Sequence, residues 1–82
     1  MTEVNSGDLT ATVEKQNTTE RGEEFVATCS ANGNDYSCLI RNDKDQGVIA
    51  AKWSDADGQP LTADGADELR TKAVDAVKRQ LG

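Results

Sequence analysis

The 82-residue chain has no histidine, one proline, and one each of phenylalanine, tyrosine and tryptophan. The missing histidine removes the Ser-His and Cys-His nucleophile arrangements and the usual general base near neutral pH. Two cysteines without a histidine cannot close a tetrahedral zinc site by themselves. Aromatic residues are 4% and hydrophobic residues 35%, a thin supply of core material for a domain already too small to bury a large share of its surface. No apolar run approaches the roughly 20 residues that cross a bilayer. The opening "MTEVNSGDLT" has neither the basic start nor the apolar stretch of a secretory signal. The seven glycines are scattered at turns and form no phosphate-cradling loop.

Charge of one sign is also short. Nine basic residues face fifteen acidic ones, for a net charge of −6. Such a chain is repelled by nucleic acid phosphate and by anionic membranes. Its expected partners are proteins with basic patches, or neutral ligands, and neither nucleic acid nor direct membrane insertion is expected. With so many carboxylates, no single acid/base pair stands out. The sequence therefore carries no catalytic constellation, and no enzyme activity, cofactor or metal is expected. "DADGQPLTAD" shares Asp55, Asp57 and Gly58 with part of an EF-hand loop. However, Trp53 then stands where the first aspartate is needed, so an ordinary turn is expected. Asn17-Thr18-Thr19 fits the N-glycosylation pattern, which matters only in a eukaryotic secretory pathway.

What is present is a set of alternating segments and one helical one. "EEFVATCSA" and "DYSCLIR" read as strands joined through "NGND". With Gly33-Asn34 as a two-residue turn, Cys29 faces Cys38 across a non-hydrogen-bonded pair, where a disulfide fits. Closing so short a loop is worth roughly 2.5–3 kcal/mol in the chain-entropy view. Asn32-Gly33 is the stronger type I′ sequence and would instead set Cys29 against Tyr36, leaving the cysteines diagonal. The expectation is a Cys29–Cys38 disulfide, and with it an oxidising compartment. The wide cysteine spacing across a hairpin, away from any helix start, does not suit a catalytic redox pair.

Phe25, Ala27, Cys29 and Ala31 share one face of the first strand, and Tyr36, Cys38 and Ile40 the matching face of the second. A two- or four-residue loop in "NDKDQG" then sets Ile40 opposite Ile49 and Tyr36 opposite Trp53. "DLTATVEKQ" alternates as a further strand, followed by a loop over "NTTERGE". In "LTADGADELRTKAVDAVKRQLG", Ala66, Leu69, Ala73, Ala76, Val77 and Leu81 recur at helical spacing. Thr62 or Asp64 can cap its start, and Lys78 and Arg79 suit its last turn. The fold class expected is α+β: an antiparallel β-meander of about four strands with one C-terminal helix packed on one face. Residues 1–7 are expected to be disordered, and residues 8–82 to form a single small domain.

The helix covers one sheet face only. On the other, parity gathers Val26, Leu39, Val48 and Ala50, bordered by Arg41 and Lys52, as a candidate partner-binding surface. The function expected is a non-enzymatic, extracytoplasmic accessory or binding module of an exported or membrane-anchored protein, engaging a protein partner as a monomer. Its export signal would lie upstream of these residues. The alternative is a small acidic inhibitor or immunity-type protein that neutralises a basic partner.

Overall fold

The computed structural model describes residues 2–81. Five strands follow one another: β1 (Thr2–Ser6), β2 (Leu9–Thr19), β3 (Gly22–Ala31), β4 (Asn34–Asp43) and β5 (Gly47–Ala50). Helix α1 (Ala66–Leu81) follows the strands. The strands form one antiparallel sheet in sequence order, a half-barrel meander with the helix on its concave side. This is the α+β meander-plus-helix that the patterning predicts, with one strand more than expected.

The extra strand is β1. Thr2–Ser6, expected to be disordered, pair with β2, Ser6 with Leu9 and Val4 with Ala11. Only Gly7 and Asp8 separate the paired ends, and Gly7 takes φ 58. A Gly-Asp pair between alternating segments is a two-residue hairpin signal that the sequence reading passed over. "NTTERGE" is likewise less of a loop than expected. Thr19 pairs with Gly22, leaving only Glu20 and Arg21 as the turn. Gly22 (φ 146) allows this close approach, since a Cβ there would collide with the Asn42 carbonyl oxygen of β4.

The β3–β4 hairpin adopts the rival register. Ala31 pairs with Asn34, and Asn32 and Gly33 form the turn with φ 53 and φ 79. Positive φ at both central residues is what a type I′ turn demands, and Asn-Gly supplies it more readily than Gly-Asn. Cys29 consequently faces Tyr36, and Cys38 faces Ala27.

The core lies between the concave sheet face and α1. It includes Val4, Val13, Phe25, Ala27, Ile40, Trp53, Leu69, Ala73 and Val77. Ala66, Leu69, Ala73, Ala76 and Val77 of α1 are buried, as the 3.6-residue spacing predicts. The small side chains let the helix approach β1 and β2 closely while reaching β4 and β5. The indole N–H of Trp53 donates to the Ala66 carbonyl at 3.1 Å, tying the start of the helix to the sheet. The helix begins at Ala66 behind Gly65, whose carbonyl accepts from Leu69 N–H at 2.8 Å. Gly65, rather than Thr62 or Asp64, holds the position that immediately flanks it. The i,i+4 spacing allows ion pairs between Glu68 and Lys72 and between Asp75 and Arg79, and of these Glu68–Lys72 forms at 3.5 Å. Arg79 turns to the Asp75 backbone carbonyl instead, at 3.4 Å.

Candidate functional site

The site is built by the β4–β5 turn. Three residues, Lys44, Asp45 and Gln46, lie between the paired Asp43 and Gly47. Asp43 organises the turn: its carboxylate accepts from the backbone N–H of Asp45 at 2.8 Å and of Gln46 at 3.1 Å. Those two bonds hold its pKa below the usual carboxylate value. Gly47 leaves the turn with φ 81. An odd loop shifts the register by one from the expected two- or four-residue one, and a one-residue shift reverses faces. Ile40 therefore pairs with Ala50, and Arg41 with Ile49.

Trp53 still reaches the core, because the chain inserts one residue after β5. Ile40 pairs with Ala50, but Ser37 bridges Ser54, so three steps on β4 answer four on the other side. The extra residue restores the inward parity lost at the turn. Ala51 and Lys52 are exposed there, while Trp53 is 3% exposed.

Of the five residues expected to bind a partner, the structure brings three together. Val26 pairs with Leu39, and Arg41 lies on the same face, two pairs further along β4 opposite Glu24. Val48 does not join them. It points to the concave side and packs against the core, as does Ala50. Lys52 lies beyond β5, beside a different cleft that includes Trp53, Pro60 and Arg70. The place expected for Val48 is taken by Ile49, which the sequence reading missed by taking an even loop. Gly47, following the aspartates of the turn, was the available signal for the odd one.

The resulting surface is a shallow groove of about 330 Å³ lined by Leu39, Arg41, Ile49, Ala51 and Glu24. Leu39 is 57% and Ile49 38% exposed. Arg41 does not stand as a free cation, because its Nε lies 3.8 Å from the Glu24 carboxylate. The rest of this face is polar. Thr12 and Thr28 hydroxyls meet at 3.0 Å, and the Ser30 hydroxyl donates to Asp35 at 2.6 Å.

Both cysteines are free thiols on the concave side, which corrects the expected disulfide. The physical reason is the type I′ register, which leaves them diagonal rather than opposed. Diagonal positions lie about 7–8 Å apart, beyond ordinary disulfide reach. Burial pushes both thiol pKa values up, that of Cys38 to about 11. The Cys38 thiol donates to the Ala51 carbonyl at 3.0 Å. Both are packing groups in this setting, not nucleophiles.

The aspartates of "DADG" organise a turn, as expected. The Asp55 carboxylate accepts from Asp57 N–H at 2.9 Å and from Gln59 N–H at 2.8 Å. Among the described residues, no cluster of acidic or cysteine side chains is placed to hold a metal ion. No helix among them is long and apolar enough to cross a membrane. No family model, curated protein or solved structure matches the chain.

Proposed function

We propose that the protein is a non-enzymatic binding module that engages a protein partner through the outer face of β4 and β5. One observation carries this reading. The two large apolar side chains that stand exposed among the described residues, Leu39 and Ile49, lie together on one face of adjacent strands. Val26 extends the patch on the β3 side, and the Glu24–Arg41 pair closes one border. Exposed apolar side chains gathered into a patch with a polar rim are the pattern of a contact surface. The net charge of −6 favours a basic partner. That charge equally suits the second reading, a free-standing acidic inhibitor. The extracytoplasmic placement expected above rested on a Cys29–Cys38 bond. With both thiols free it loses that support and forms no part of the reading.

The substitution Leu39→Asp tests it. Because the Leu39 side chain lies outside the core, the variant is expected to fold and melt like the parent. Proteins retained from the native host on immobilised parent and variant are compared, and the one that differs is purified for titration. Its affinity for the variant should fall by about 2 kcal/mol or more, the cost of placing a carboxylate in an apolar contact. Equal affinity for a folded Leu39→Asp chain would move the contact elsewhere.

A further inference from the structure

We propose that the free edge of β5 accepts an extended, lysine- or arginine-flanked segment of the partner as an added antiparallel strand. This rests on the outer face of β4 and β5 being a protein contact. It states how the partner is held.

The phase of the β4–β5 ladder shows which backbone groups are available. Ala51 N–H donates to the Leu39 carbonyl at 2.9 Å, so Leu39 and Ala51 are a hydrogen-bonded pair. Such pairs alternate along an antiparallel ladder. Arg41 with Ile49 and Asp43 with Gly47 are therefore bonded, and Val48 and Ala50 turn their N–H and C=O groups away from β4. β5 is the last strand of the sheet, and β4 is its one neighbour. Among the described residues, no backbone group of another element bonds Val48 or Ala50 on that side. The opposite edge of the sheet is guarded differently. There the Lys72 ammonium donates to the Asn5 carbonyl of β1 at 2.7 Å, so α1 occupies part of that edge. The two edges thus differ: a side chain of α1 bonds an outward carbonyl of β1, whereas among the described residues none bonds Val48 or Ala50 of β5.

The groove sits beside this open edge, on the outer side. An added strand would place alternate side chains next to Ile49, continuing the Val26–Leu39–Ile49 patch. Backbone bonds to Val48 and Ala50 supply the register, and the groove selects apolar residues at alternate positions. β5 has four residues, so only two sets of free groups are offered and the contact is short.

Charge decides the occupant. β5 itself is uncharged, but Asp43 and Asp45 precede it and Asp55 and Asp57 follow it, outnumbering Lys44 and Lys52. A second copy of the chain would bring the same acidic flanks and another −6 of net charge against them. A strand with an apolar, alternating centre and basic ends is complementary on both counts.

The probe is a synthetic peptide in which valine alternates with threonine, flanked by paired lysines. Two controls accompany it: the same peptide with glutamate flanks, and one N-methylated at alternate backbone nitrogens. Ala50→Pro is the matching change in the protein. Its lost N–H faces the open edge, so the β4–β5 ladder stays intact. The lysine peptide is expected to bind and to protect the Val48 and Ala50 amides from hydrogen exchange. Ala50→Pro, melting like the parent, and the N-methylated peptide should each bind about tenfold more weakly. No binding of the lysine peptide, or equal binding by Ala50→Pro, overturns the proposal. Equal binding of the glutamate peptide overturns the basic occupant. Concentration-dependent dimers that Ala50→Pro abolishes would assign the edge to a second copy instead. If Leu39→Asp weakens the native partner while Ala50→Pro does not, the outer face stands as the contact and strand addition falls.

Discussion

At the residue scale, the two cysteines show how much one turn controls. Their chemistry was set by whether Asn32-Gly33 or Gly33-Asn34 made the bend. The observed choice buries two thiols on the same face without joining them. Both should resist alkylation in the folded protein and react fully once it is unfolded, with no change of mass on prior reduction. A pH effect follows with a definite sign. The Cys38 pKa is raised from 9.0 to about 11 by burial, so the folded state holds its proton more tightly than the unfolded one. The associated stability is fully present below pH 9.0 and is lost as pH rises through about 11. Denaturant melts across that interval should show a decline that Cys38→Ala flattens, after allowing for the lower starting stability of that variant. A parent and variant with parallel pH profiles would contradict the buried neutral thiol.

At the element scale, α1 is what turns a curved sheet into a domain. The concave face presents Val4, Val13, Phe25, Ile40 and Trp53, and the buried stripe of α1 covers them. A meander of this size without its helix has one wet apolar face and little cooperative core. Removing residues 66–82 should abolish the sharp thermal transition and shift Trp53 fluorescence to the red as the indole loses its burial and its bond to Ala66. A truncated chain with a native emission maximum and a sharp melt would show that the sheet holds its core alone. The helix was readable because its apolar spacing, acidic first turn and basic last turn agree with one another. β1 was not, because "TEVNS" offers a single buried apolar side chain, Val4, and gains its order from β2 and α1.

At the scale of the whole molecule, the excess of carboxylates acts on approach more than on docking. A net charge of −6 attracts a basic partner over distances that salt screens. The association rate of the lysine-flanked peptide should therefore fall steeply as sodium chloride is raised. Its dissociation rate, governed by the β5 edge and the apolar groove, should change little. An association rate indifferent to salt would argue for a neutral partner. The candidate face itself was half legible. Val26, Leu39 and Arg41 follow from strand alternation within one hairpin, whose parity does not depend on which of the two turns forms. Val48 was misplaced and Ile49 missed because parity across the next turn depends on a loop length that composition alone does not give.

The sequence by itself determined the periodicities: four segments that alternate, one that repeats every 3.6 residues, and hence an α+β chain with a covered and an uncovered sheet face. These follow from local backbone geometry, which each short stretch carries within itself. Tertiary structure decided the registers. Whether Cys29 meets Cys38 or Tyr36, whether Val48 or Ile49 faces outward, and how Trp53 returns to the core after β5 all turn on shifts of one or two residues between strands. The first of these follows the type I′ preference of Asn32-Gly33, whereas the other two shifts barely alter local preference. They are resolved only when Phe25, Ile40 and Trp53 must fit under one helix at the same time.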